Sequence, residues 1–162
     1  MTIKTQITLR DFLIFHLKSS LLRLIAFPLI LLVFFIIKES VDDSTERDIL
    51  KSASMWFTIL LLFLLIRSFF SVRSTFNSNK NIQESITYTF TEAKIYIQGE
   101  TFEGDFAWTS VYKVKEKKDW FLIYQNAQVM NMVPKKFFTK EQVSELRNII
   151  KHNHVKSKLR KD

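Results

Sequence analysis

Cysteine is absent from all 162 residues. That excludes a disulfide framework, a thiolate zinc site and a cysteine nucleophile. Glycine occurs only twice, too seldom for a Walker loop or a dinucleotide fingerprint, since each needs several glycines at fixed spacing. Acid is scarce too: 16 Asp and Glu stand against 24 Lys and Arg, a formal charge of +8. These shortages remove most familiar enzyme classes and leave no expected cofactor. What the chain has in excess is uninterrupted apolar sequence near its start. Composition therefore points to a small membrane protein with one modest soluble domain.

The first apolar block runs from Leu21 to Ile37, with Arg23 its only charge and Pro28 its only helix-unfriendly residue. The second runs from Ser52 to Ile66 and continues past Arg67 to Val72. A helix rises about 1.5 Å per residue, so about 20 apolar residues cross a hydrocarbon core of about 30 Å. Each block reaches that length if Arg23 and Arg67 extend towards the headgroups. Buried core helices are the competing reading, but a helix apolar on every face has no side to offer water. The first block also makes a poor signal peptide: it starts some twenty residues in, ends in charge and lacks a small-residue cleavage site. Pro28 is tolerable within a span. The expected layout is an interfacial segment at 1–20, a hairpin at 21–72 and a soluble domain at 73–162. The spans are placed at about 21–37 and 52–70, with an outer loop at 38–51.

Charge sets the expected orientation. Lys4, Arg10, Lys18 and Arg23 precede the first span, and Arg67, Arg73 and Lys80 close the second; the loop holds Lys38, Arg47 and Lys51. Basic flanks stay cytoplasmic, so both termini are predicted inside an inner membrane. Ahead of the first span, Thr8 and Asp11 are spaced like a helix cap, followed by Leu9, Phe12, Leu13 and Phe15. This predicts either a short interfacial helix or an extension of the span itself.

The soluble half reads as strands, then one helix. Residues 73–81 are polar and predict a linker or capping turn. Short aromatic and β-branched runs at 82–90, 94–98, 106–116, 120–125 and 128–133 predict an antiparallel meander, with a loop from Gly99 to Asp105. Pro134 ends the last strand. Thr139 and Gln142 form a capping box, and Val143, Leu146, Ile149 and Ile150 share one helix face. The fold class is thus membrane α+β: a two-helix transmembrane hairpin plus a small antiparallel β-rich domain closed by a C-terminal helix. That order suits a pleckstrin-homology-like closure and equally a two-layer α+β sandwich.

The stretch from Phe106 to Lys151 resembles the C-terminal domain of the YcxB-like bacterial membrane proteins. The resemblance lies in order and spacing: Trp108 with Val111 three residues later, then a charged turn and the aromatic-aliphatic strand Asp119–Tyr124. A Pro-basic-x-x-Phe turn follows at Pro134, Lys135 and Phe138. The helix after it carries Glu141, Glu145, Leu146 and Arg147. The opening ITLRDFLIF also resembles the family's start. Family members often place a Gly after the turn acid near Thr91–Ala93, and this chain does not. The resemblance implies a two-span inner-membrane protein with a cytoplasmic β-rich domain, and it implies no activity.

Chemical candidates are thin. His152 and His154 form an H-x-H pair, but His16, the only other histidine, lies at the far end of the chain, short of a metal site's ligand set. Glu116 and Asp119 flank a hairpin turn, where carboxylates are usual. Glu100, Glu103 and Asp105 crowd a loop, a weak cation candidate. Asp42, Asp43, Glu46 and Asp48 lack the central glycine of a calcium loop. The basic tail is the clearest charge feature: Arg147, Lys151, Lys156, Lys158, Arg160 and Lys161, with Lys135 and Lys136 on a related surface. Such a run reads first as a solvated tail; as partners for it in a membrane-tethered chain, lipid headgroups are commoner than nucleic acid. The resulting expectation is a non-enzymatic protein that presents its soluble domain to a protein partner, a second copy or the bilayer. The alternative is a small immunity protein against a membrane-acting toxin.

Overall fold

The computed structural model describes residues 1–39 and 46–161. The chain divides into two compact units: Thr8–Asn79, and Met1–Ile7 together with Lys80–Asp162. In chain order the elements are β1 (Thr2–Gln6), α1 (Leu9–Glu39), α2 (Glu46–Ser78), α3 (Lys80–Gln83), β2 (Ser85–Phe90), β3 (Lys94–Gln98) and β4 (Glu103–Ala107). They continue with β5 (Lys113–Glu116), β6 (Trp120–Tyr124), β7 (Met130–Pro134), α4 (Lys140–His152) and β8 (Ser157–Lys158).

The helical unit is the hairpin expected from the apolar blocks. Thr8 and Asp11 cap α1: the Asp11 N–H donates to Thr8 Oγ1 at 3.2 Å, and the Thr8 N–H to Asp11 Oδ2 at 3.1 Å. Leu9–Phe34 and Lys51–Ser78 are long and apolar enough to cross a membrane. Large apolar side chains stand outward, Leu22 at 81 % exposure and Phe34 at 68 % among them. Pro28 is fully buried, and the helix continues through it.

Of the two readings for the segment before the first apolar block, the structure has the extension: Leu9 begins one continuous helix, and Thr2–Gln6, expected in neither, is a strand of the β unit. Ile3 and Thr5 are buried while Thr2, Lys4 and Gln6 are exposed, the period-two alternation of a half-buried strand. The polar stretch at 73–81 is not a linker, because α2 runs to Ser78 and α3 follows. A helix already nucleated extends at little cost, and Phe76 within that stretch packs its ring 5.6 Å from Phe12. The predicted outer loop at 38–51 is shorter than expected, since α1 reaches Glu39 and α2 begins at Glu46; residues 40–45, with Asp42 and Asp43 of its acidic cluster, lie outside the described residues.

The β unit holds two four-stranded sheets, in the orders β1-β2-β3-β4 and β7-β6-β5-β8. All pairs are antiparallel except β5 with β8, which is parallel. One core serves both sheets and α4. Ile86, Tyr88, Phe90, Ile95 and Ile97 enter from the first sheet, and Val114, Phe121, Ile123 and Val133 from the second. Leu146 and Ile150 enter from the helix. The predicted capping box is present, with the Gln142 N–H on Thr139 Oγ1 at 3.2 Å and the Thr139 N–H on Gln142 Oε1 at 2.9 Å.

The run at 106–116 is not one strand. It splits between β4 and β5 at a 3-10 turn, Trp108–Ser110, where the chain passes from one sheet to the other. Trp108 governs that switch. Its ring is 1 % exposed and lies 6.3 Å from Phe90, while Nε1 donates to Thr91 O at 2.9 Å. Burying an indole requires a partner for its N–H, and an extended run would carry the ring past that carbonyl. The predicted loop from Gly99 to Asp105 is likewise corrected: β4 begins at Glu103 and pairs with β3 throughout. Its sequence EGDFA has poor strand propensity, so its pairing with β3, not its composition, makes it a strand.

Candidate functional site

The residues singled out in the sequence fall into two groups in the β unit. The first surrounds Glu116. Alternation along β5 sends Val114 and Glu116 inward and Lys113 and Lys115 outward, so Glu116 is not a surface turn carboxylate. Its side chain is fully buried. Lys135 Nζ donates to Oε1 at 2.6 Å, Arg147 donates through Nη2 at 2.6 Å and Nε at 2.9 Å, and the Arg160 N–H donates to Oε2 at 3.0 Å. Burial alone would raise this carboxyl's pKa, but the donors from Arg147, Lys135 and Arg160 together hold it below the usual 4.5. The cluster joins β5, the turn after β7, α4 and the segment after β8. Lys135 and Arg147 are therefore committed to an internal carboxylate, which corrects their assignment to a basic surface.

The other family-motif positions are structural as well. Val111 is buried beside Trp108, Pro134 is fully buried at the end of β7, and Phe138 packs 5.6 Å from Phe121. His152 and His154 are both exposed. His154 instead serves the backbone. At φ 52° it occupies the left-handed position after α4, where its N–H donates to Lys151 O at 3.0 Å and the Val155 N–H to Ile150 O at 3.3 Å. This pair of bonds is the Schellman ending of a helix. Among the described residues no group of three His, Asp or Glu is placed to hold a metal. Asp105 of the crowded loop pairs with Lys94 Nζ at 2.8 Å. The loop's own N–H groups, at Glu100 and Thr101, close on Glu84 Oε2 at 2.6 and 2.9 Å.

The second group is the outward face of the β5–β8 edge. Lys113 pairs with Tyr124, Lys115 with Leu122 and Lys158 with Lys115. The Val114 N–H bonds Lys156 O at 2.9 Å and brings Lys156 alongside Lys113. Lys113 Nζ sits 4.7 Å from the Tyr112 ring and 4.8 Å from the Tyr124 ring, and Lys115 Nζ 5.8 Å from Tyr124. Of the five tail residues proposed for lipid contact, Lys156 and Lys158 belong to this face. Lys151 is exposed on α4, Lys161 is exposed beyond β8, and the Arg160 backbone is tied to Glu116. Lys113, Lys115, Tyr112 and Tyr124 were not singled out for binding in the sequence. The tail reads there as a run of charge, whereas its pairing with β5 is what gathers these groups.

The span from Phe90 to Ile150 holds Trp108 at the switch between sheets, Pro134 at the end of β7 and the capped α4. Residues 90–150 match the family model described as YcxB-like protein. The resemblance read in the sequence is thereby borne out over this stretch. The YcxB-like segment contains most of the core and three members of the ion cluster, Glu116, Lys135 and Arg147. It leaves out both long helices, β1 and β8. No curated protein and no solved structure matches the chain.

Proposed function

We propose that the chain is a non-catalytic, two-span protein of a bacterial cytoplasmic membrane. It holds its YcxB-like β unit on the cytosolic side as a binding module for a partner or for the membrane surface. One observation carries this reading: β1, immediately before α1, pairs along its whole length with β2, which follows α2. Strands of one sheet lie on one side of a membrane, so the two apolar helices between them must cross and return. A cleaved leader would carry β1 away from the sheet, which argues against that role for α1. The apolar faces that α1 and α2 turn outward need lipid, since a helix apolar all round has no aqueous face. The basic flanks then choose the cytosolic side. The closure of two sheets around one core by α4 supports a pleckstrin-homology-like description of the module.

The test is topological. Reporter fusions after Asp162 and within 42–48 should report a cytosolic end and an external loop, and the full chain should resist carbonate extraction from membranes. A periplasmic C-terminus, or release by carbonate, overturns the proposal.

A further inference from the structure

The lysine face of the second sheet has a built character that a solvated tail would lack. Lys113 and Lys115 on β5 meet Lys156 and Lys158 at the parallel β8 edge, and the positions in the same rows, Tyr124 and Leu122 on β6 and then Met130 and Met132 on β7, include no acid. Like charges placed side by side on a sheet repel, so the arrangement costs the fold stability unless an anion supplies the missing charge. No carboxylate of the described residues pairs with any of the four.

Beside the lysines lies an amphipathic rim. Tyr112 is 48 % exposed, and its N–H donates to Tyr124 O at 2.9 Å, which ties it to the end of β6. The β6–β7 turn leaves that same strand end. There Asn126 Oδ1 accepts the N–H groups of Gln128 and Val129 at 2.8 and 2.7 Å, and Val129 stands out at 51 % exposure. Rings with one polar end, a rigidly held apolar tip and unpaired ammonium groups are the composition of a water–lipid boundary. An acidic protein or a nucleic acid would need the charges but not the exposed Val129.

We propose that this face docks on anionic phospholipid headgroups. The ammonium groups of Lys113, Lys115, Lys156 and Lys158 take the phosphates, and Tyr112, Tyr124 and Val129 enter the interfacial layer. The proposal rests on the membrane-anchored reading above, and the two fail differently.

The test uses the full chain in phosphatidylcholine nanodiscs, mixed with vesicles of phosphatidylcholine alone or with equal parts of phosphatidylglycerol. Capture by the anionic vesicles is expected, and it should weaken steeply as the Debye length shrinks from about 10 Å at 0.1 M salt to about 3 Å at 1 M. The combined variant Lys113→Gln, Lys115→Gln, Lys156→Gln and Lys158→Gln should bind at least about tenfold more weakly, since it removes four charges attracted to the anionic surface. A charge-matched control, Lys4→Gln, Lys80→Gln, Lys118→Gln and Lys140→Gln, should bind like the parent. Val129→Ser, which changes no charge, should lower the salt-resistant part of the binding. Equal loss in both quadruple variants, or loss in neither, overturns the docking face. So does displacement of the chain from the vesicles by polyglutamate or RNA at charge concentrations matching the lipid. Carbonate extraction of the same variants separates the readings: lost docking with intact insertion counts only against the face, and lost insertion counts against the anchor.

Discussion

The outer face of the first sheet carries Lys4 and Lys94 against Glu103 and Asp105, among threonines and Gln98. The outer face of the second carries four lysines at one edge and no acid in the rows paired with them. Their inner faces differ in the opposite sense. The first sheet buries no charged residue, its one buried polar side chain being Thr5, whereas the second ends in Glu116, held by Lys135 and Arg147. Both sheets therefore bury the same kind of core, but only the second manages charge on both sides. It buries a carboxylate that fastens the last segments of the chain, and it exposes ammonium groups that no internal acid neutralises. Neighbouring residues of one strand, β5, alternate between the buried charge cluster and the exposed lysine face.

The largest expected effect breaks the inner difference. Glu116→Gln removes the buried charge that the half-buried Lys135 and Arg147 close on, and should cost about 3 kcal/mol in chemical unfolding of the full chain. The pH dependence has a definite sign. Glu116 titrates below the usual 4.5 when folded, so its contribution is complete above that pH and fades as acid is added below it. The variant should therefore show a flatter acid limb than the parent, and parallel limbs would refute the role given to the carboxylate.

A smaller effect tests the first sheet. A Cβ at Gly99 would stand 2.5 Å from Phe102 Cε1 and 2.7 Å from Glu84 Oε2. Gly99→Ala should thus destabilise by about 1–3 kcal/mol through overpacking and should leave capture by anionic vesicles unchanged. Lost capture in folded protein would mean that the two faces are not independent. The smallest effect sharpens the outer difference. Lys115→Gln removes a like-charge neighbour of Lys158 and should raise stability by a few tenths of a kcal/mol at low salt, with no gain at high salt. A loss of stability would show that Lys115 contributes to the fold through its contact with Tyr124.

Much of this was legible in the residues. The capping box of α4, the apolar face Val143–Leu146–Ile150, the strands at 85–90, 94–98 and 120–124, and the resemblance over the YcxB-like stretch all rest on local patterns. The misses share a cause. β1 lay in the TIKTQ alternation but was hidden by the long apolar run behind it. β4 has no strand composition, and β8 is two residues long; each exists because a distant partner offers an unpaired edge. Glu116 could have been read inward from the alternation Val114–Glu116, yet its place beside a turn made a surface carboxylate the simpler reading.

What the sequence determined by itself is what depends on neighbours a few residues apart: two apolar helices, the charge of their flanks, and a run of short strands closed by a capped helix. Hydrophobic period and capping chemistry act over one or two turns, so they are written locally. Only the tertiary structure decided that the first residues share a sheet with strands beyond both helices. It also decided that Lys135 and Arg147 face inward, and that Lys156 and Lys158 stand beside Lys113 and Lys115. Those outcomes depend on strand register between segments tens of residues apart, and a register shift of one residue would turn every one of these side chains to the other face.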